Sequence, residues 1–187
     1  MDPQVFARLL SGELGPVQKL LFASGDAKDI GDSIVARHNP QRAPQYYAVE
    51  LWPGLDSGQI EQFEYAVSLR IPASYKSILS QIGGAKLGTL VIYGVPLSRQ
   101  REPRVLDRRR RQPLDLGLAN SDWRHEFLGC SSLFHLGSIN WSHDDIAGVF
   151  LRDSGELIAV LRNGKTVQTF GGYEALFDYG ISSLYAA

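Results

Sequence analysis

Apolar residues recur at helical spacing in the first part of the chain. In residues 2–21 they fall three and four positions apart, which predicts a first helix. A second helix is predicted over residues 26–38. Asn39-Pro40 ends it, because the residue before a proline avoids the α conformation. Residues 1–55 are therefore expected to form an N-terminal helical extension.

The middle of the chain predicts one strand followed by two helices. Residues 46–52 are rich in the aromatic and β-branched side chains that favour strands. A helix follows with Ser57 as its expected N-cap, and Pro72 opens the next helix. Gly83-Gly84 is expected to end that second helix, since glycine accepts the left-handed conformation of a C-cap.

The pattern then changes to short apolar segments separated by turn residues. The predicted strands are residues 89–95, 134–139, 146–152, 156–161 and 165–170. Asn163-Gly164, between the last two, is a strong hairpin signal. An apolar stripe predicts a closing helix over residues 172–185. Consecutive hairpins make an antiparallel sheet, so the predicted fold class is α+β, with a central, mainly antiparallel sheet flanked by helices.

Length and composition fit one globular domain. The chain has 187 residues, of which 44% are hydrophobic and 21% are charged, and both fractions are ordinary. Its start lacks the basic and apolar regions of a signal peptide, and no stretch reaches the roughly 18 apolar residues of a membrane helix. We expect a cytoplasmic single-domain protein, with the extension at residues 1–55 packed on an α+β domain at residues 56–187.

Charge is distributed unevenly along the chain. Residues 99–111 hold seven arginines against Glu102 and Asp107, a local charge of +5, whereas residues 112–187 carry −5. A run of arginines can contact nucleic acid, but no aromatic residues are interleaved here for base stacking. A solvated loop is the favoured interpretation of the segment between Arg99 and Arg111, and direct nucleic-acid binding is disfavoured.

Few residues offer catalytic chemistry. One hypothesis is a small hydrolase that uses Cys130, with His135 as a partner, or the pair His125 and Glu126. Cys130 lacks the sequence setting of a known nucleophile, so a buried structural cysteine is the favoured interpretation. One cysteine and four histidines also make a poor metal set. We expect no metal, no cofactor and no catalytic residue.

Several short motifs occur in an order that is typical of one protein family. They are IPASYKSIL at residues 71–79, GG at 83–84, LGS at 136–138, DDI at 144–146 and FGGYEALF at 170–177. Taken in this order, they resemble the SUKH superfamily. That group contains the yeast cell-wall-assembly regulators and many bacterial immunity proteins.

The resemblance covers about residues 57–187 and implies an α+β domain without cofactor or known catalytic residues. It also implies that the chain binds a protein partner, which for many bacterial members is a toxin domain such as a nuclease. The C-terminal half is acidic, so we expect Trp141, Asp144 and Asp145 to form part of the partner-binding surface. In the alternative interpretation, the two aspartates only cap and solvate a turn.

Three functions remain open from the sequence. The first is an immunity protein that neutralises one cognate toxin by direct binding. The second is a regulatory or scaffold module, which would bind several partners with modest affinity. The third is the small hydrolase based on Cys130 or on His125 and Glu126.

Overall fold

A computed structural model describes residues 15–30, 33–39, 41, 46–96, 113–142 and 145–185. The α-helices are α1 (Gly15–Ser24), α2 (Ser57–Val67), α3 (Ala73–Gln81), α4 (Leu116–Ser121) and α5 (Tyr173–Ser182), and a 3₁₀ helix spans Trp123–Glu126. The strands are β1 (Lys28–Ile30), β2 (Ser33–His38), β3 (Tyr47–Pro53), β4 (Ile82–Leu87), β5 (Leu90–Ile92), β6 (Phe134–Asn140), β7 (Ile146–Leu151), β8 (Leu157–Leu161) and β9 (Thr166–Phe170). None of the described helices has the length and apolar character needed to cross a membrane.

The nine described strands form one antiparallel sheet, in which each strand pairs with the next along the chain. The register places Ile34 opposite Leu51, which lies in turn opposite Ala85. Strand β5 joins this half of the sheet to the other half, because Leu90 lies opposite Ile139 of β6. The predicted α+β class and antiparallel sheet are confirmed.

Helices cover one face of the sheet and supply much of the core. The buried helical side chains include Val17, Leu20 and Leu21 of α1, Ile60 and Phe63 of α2, Tyr75, Ile78 and Leu79 of α3, Leu116 and Ala119 of α4, and Tyr173, Leu176 and Phe177 of α5. They form one cluster with the strand residues that point towards them. Each such burial contributes roughly 1.5–3 kcal/mol, so these helices are held mainly by packing.

The opposite face carries a smaller cluster under the turn that follows the 3₁₀ helix. The cluster consists of Phe127, Cys130, Phe150, Ile158 and Val160. The rings of Phe127 and Phe150 meet edge to face, with centroids 5.3 Å apart. A Cβ on Gly148 would stand 2.9 Å from the Phe127 ring, so glycine at this position lets the turn lie close on the sheet.

The helix predicted over residues 26–38 is wrong, because this segment forms the hairpin of β1 and β2. The four buried residues at the start of β2 are Ser33, Ile34, Val35 and Ala36. A run that is buried on both sides is typical of an interior strand, and a short apolar run does not distinguish it from a helix. The helix predicted over residues 2–21 overlaps α1 at residues 15–21, and the rest of that prediction lies outside the described residues.

Gly83 and Gly84 lie inside β4 and do not cap a helix, so that prediction is also wrong. Helix α3 ends at Gln81 and continues directly into the strand. A Cβ on Gly83 would stand 2.3 Å from the carbonyl oxygen of Pro53 in β3. The glycine is therefore required by the close approach of two paired strands.

The N-cap of helix α2 lies one residue earlier than predicted. The side chain of Asp56, rather than that of Ser57, accepts a hydrogen bond from the amide of Gln59 at 2.8 Å. The Gln59 side chain in turn accepts from the Asp56 amide at 3.0 Å, which completes a capping box. The strand predicted at residues 46–52 and the hairpin at Asn163-Gly164 are both confirmed.

The meander places its turns at two opposite ends of the sheet. The β4–β5, β6–β7 and β8–β9 turns lie together at one end, which we call the hairpin end. Two of them are tied by a hydrogen bond from the Asn140 amide to the Thr89 carbonyl, 3.0 Å long. The β7–β8 turn lies at the other end, where Phe134 at the start of β6 faces Leu151.

Candidate functional site

The β6–β7 turn brings together two of the three residues predicted to bind a partner. The amide of Trp141 donates to the carbonyl oxygen of Asp145 at 2.9 Å, and the amide of Ser142 donates to the same oxygen at 3.2 Å. The Ser142 hydroxyl accepts from the Asp145 amide at 3.2 Å. Asp144, the third predicted residue, lies outside the described residues.

Large apolar side chains are exposed around this turn. Trp141 is 37% exposed and Ile146, the first residue of β7, is 44% exposed. Ile146 is paired with Asn140, so it stands directly beside the turn. Asp145 is also exposed, which places a carboxylate between the indole and the isoleucine along the chain.

Leu128 extends this apolar surface along the hairpin end. Its side chain is 71% exposed, and its amide donates to the carbonyl of Arg162 at 3.1 Å. Ala147 of β7 pairs with Leu161 of β8. Arg162, which follows Leu161 in the β8–β9 turn, therefore lies near Ile146. We define the hairpin-end patch as Leu128, Trp141, Asp145 and Ile146.

Sequence reasoning missed Leu128 and Ile146. Ile146 could have been found from the strand pattern, because it begins β7 on the face opposite to the buried Ala147. Leu128 carries no comparable signal. It becomes part of the surface only because Phe127 beside it is buried under the turn.

The predicted pair of His125 and Glu126 lies in the 3₁₀ helix on the surface. Glu126 forms an ion pair with Arg162, 3.0 Å long, and both side chains are largely exposed. Ion pairs of this kind contribute little to stability. His125 is exposed beside it, so the two residues form part of a solvated rim near Leu128.

Cys130 is a core residue. Its side chain is buried in the cluster on the second face, and its thiol lies 3.9 Å from the Leu128 carbonyl. Burial raises the pKa of the thiol, although the charge of Arg152 acts in the opposite direction. A thiol that resists ionisation is a poor nucleophile, so the environment of Cys130 does not favour the hydrolase hypothesis.

His135 is held in β6 by a reciprocal pair of hydrogen bonds with Asn120. The His135 amide donates to the Asn120 side-chain oxygen at 2.9 Å, and the Asn120 nitrogen donates back to the His135 carbonyl at 2.9 Å. The imidazole stacks on Phe150 with centroids 4.4 Å apart. Its Nδ1 lies 3.3 Å from the carbonyl oxygen of Ala119.

This environment makes His135 a weak base. Burial lowers its pKa from 6.5 to about 4, although hydrogen bonds with the backbone of Ala119 and Gly137 raise the pKa. Its Nε2 is buried and meets no hydrogen-bond partner within the described part of the chain. A neutral imidazole stacked among aromatic rings serves packing, and Cys130 has no hydrogen bond to it.

The described residues contain no group of three His, Cys, Asp or Glu side chains placed to share a metal ion. No protein-family model, curated protein or solved structure matches the chain.

Proposed function

We propose that the chain is a cytoplasmic, non-catalytic protein-binding domain that neutralises a cognate toxin by direct contact. The observation that carries this proposal is the hairpin-end patch, where Trp141 and Ile146 are exposed on either side of Asp145. Exposed apolar groups that cluster around a tryptophan are typical of binding surfaces, since tryptophan is enriched among the residues that dominate binding energy.

The geometry of the turn supports binding by a prepared surface. Three hydrogen bonds join Trp141 and Ser142 to Asp145, and the hydrogen bond from the Asn140 amide to the Thr89 carbonyl anchors the end of β6 on the sheet. A side chain on a fixed backbone loses less conformational entropy when a partner binds. The main chain at Trp141 is therefore held in place before a partner binds.

Charge favours a basic partner. Asp145 lies inside the patch, and residues 112–187 carry a net charge of −5. Carboxylates at the edge of an interface accelerate the approach of a positively charged protein and fix its orientation. A toxin domain that cleaves nucleic acid has a basic surface, because it must bind a polyanion. A nuclease domain is therefore the partner class that we propose for this acidic surface.

A scaffold module with several partners is the second candidate, and it would use the same patch. The hydrolase candidate is weaker, because burial depresses the ionisation of the Cys130 thiol and the basicity of His135. The two binding candidates differ in the number and affinity of their partners.

Affinity capture from the native cells tests the proposal. The tagged full chain and its Trp141→Ala variant serve as baits, and Tyr65→Ala is the matched control because Tyr65 is an aromatic residue that is 90% exposed on α2. We expect one tight partner with the wild-type and control baits, greatly reduced with Trp141→Ala. Co-expression of the chain should restore growth to cells that produce this partner. Several weak partners that are not toxic would favour the scaffold module instead.

A further inference from the structure

A cavity of about 410 Å³ lies at the end of the sheet opposite the hairpin end, and three arginines line it. Arg70 follows α2, Arg124 belongs to the 3₁₀ helix, and Arg152 follows β7. Asp153 is the acidic residue among the lining residues, so the lining carries a net charge of +2. Sequence reasoning missed this site, because its arginines are more than 25 positions apart and meet only in the fold.

Two of the three guanidinium groups form no ion pair within the described part of the chain. Arg152 is paired with Glu156 at 2.6 Å, whereas Arg70 and Arg124 have no carboxylate within ion-pair distance, although the charge of Arg70 helps to lower the pKa of Glu64. The Nε of Arg124 is buried and has no hydrogen-bond acceptor in the described part of the chain. Because a solvent-excluded atom does not border an open cavity, a ligand bound there would meet the outer nitrogens of the Arg124 guanidinium and not its Nε.

The first turn of α3 faces the same cavity. Pro72 occupies the N-cap and provides no side-chain hydrogen bond to the turn, and no acidic residue lies in it. Pro72 and Ser74 both line the cavity. The positive end of a nine-residue helix favours an anion at this position, and the Glu64 carboxylate already accepts a hydrogen bond from the Ile71 amide at 2.7 Å just before the turn.

The remaining walls are partly apolar. Leu69, Leu133 and Leu151 line the cavity together with the arginines, and the hydroxyl-bearing Ser74 and Ser132 complete its edge. The volume lies within the range of small-molecule sites, and it exceeds what a single inorganic anion fills. Such a site suits a ligand with a charged head and an apolar body.

We propose that this arginine pocket binds a small organic phosphate. A phosphate presents several acceptor oxygens to guanidinium groups, serine hydroxyls and helix amides at once, whereas a carboxylate presents two. The apolar part of the ligand contacts the leucines.

This site is independent of the hairpin-end patch. Strand β6 begins at Phe134, which lines the cavity, and ends at Asn140 beside the patch. At about 3.4 Å per residue the two sites are roughly 20 Å apart, so the failure of either proposal leaves the other intact.

Calorimetric titration of the full chain with phenyl phosphate tests this assignment. We expect saturable one-to-one binding, with weaker binding of inorganic phosphate and of benzoate. Arg124→Met and Arg70→Met should each weaken phenyl phosphate binding about 10-fold to 100-fold. Arg162→Met is the matched control, because Arg162 is an exposed arginine at the hairpin end, and it should leave the affinity unchanged.

Thermal unfolding of each variant verifies that it is folded, and Arg70 is exposed enough for its replacement to be tolerated. Absence of saturable binding to the folded wild-type chain would overturn the assignment. Unchanged affinity in folded Arg70→Met and Arg124→Met would do the same. Benzoate binding as tight as that of phenyl phosphate would contradict the phosphate class.

Discussion

The amide of Trp141 donates a 2.9 Å hydrogen bond to the carbonyl of Asp145, and this contact closes the β6–β7 hairpin. It brings an exposed indole and an exposed carboxylate to the same turn at one end of a nine-stranded sheet. The side chains are thus available to a partner while the main chain beneath them is fixed.

Replacement of Cys130 should leave partner binding intact. Cys130→Ala removes a buried sulfur from the small cluster and should lower the free energy of unfolding by about 1–2 kcal/mol. Cys130→Ser should cost more, because its buried hydroxyl replaces an apolar contact. Chemical denaturation measures both effects. Loss of the proposed protection against the captured partner by a folded Cys130→Ala chain would favour the thiol hydrolase hypothesis.

Acid should destabilise the fold through His135. The imidazole has an ordinary pKa of 6.5 when unfolded and about 4 when folded, so the unfolded state takes up a proton first as the pH falls. Stability is therefore full above pH 6.5 and is lost progressively down to pH 4, by about 3 kcal/mol in total.

Denaturation of wild type and of His135→Phe at pH 7.0, 6.0 and 5.0 measures this dependence. Phenylalanine keeps the aromatic stacking on Phe150 and cannot titrate, so the stability of wild type relative to His135→Phe should fall as the pH falls. His125→Ala is the control, because His125 is exposed, and it should retain the wild-type slope. Parallel curves for wild type and His135→Phe would show that the imidazole titrates normally in the fold.

Gly83→Ala should destabilise the sheet severely. The added methyl group would stand 2.3 Å from the Pro53 carbonyl oxygen, so β3 and β4 must move apart, at a cost of more than about 2 kcal/mol. Gly171→Ala is the matched control, because a Cβ there meets no atom within 4 Å. Equal denaturation midpoints for the two variants would contradict the close approach of these strands.

The later half of the fold was predictable from the sequence, whereas strands β1, β2 and β4 were not. Asn163-Gly164 specifies its hairpin through local conformation, so the pairing of β8 with β9 follows directly. The segment at 33–36 is a strand because β3 pairs with it and both faces are covered. Such tertiary burial leaves no distinct periodicity in four residues.

The candidate sites likewise contain some residues that the sequence could predict and others that only the fold brings together. Trp141 and Asp145 could be predicted because they stand close together in a turn between two recognisable strands. Leu128 joins them only through its hydrogen bond to Arg162 across the fold. Arg70, Arg124 and Arg152 come from separate elements, so only the folded chain reveals a shared cavity.

The affinity of the purified captured partner for wild type and for Trp141→Ala tests the central claim most directly. The hairpin-end patch predicts a dissociation constant at least about 30-fold higher for Trp141→Ala, as for a residue that dominates an interface. Tyr65→Ala should stay within about threefold of wild type, because Tyr65 lies outside the patch. An equal dissociation constant for wild type and a folded Trp141→Ala chain would contradict the claim that this end of the sheet binds the partner.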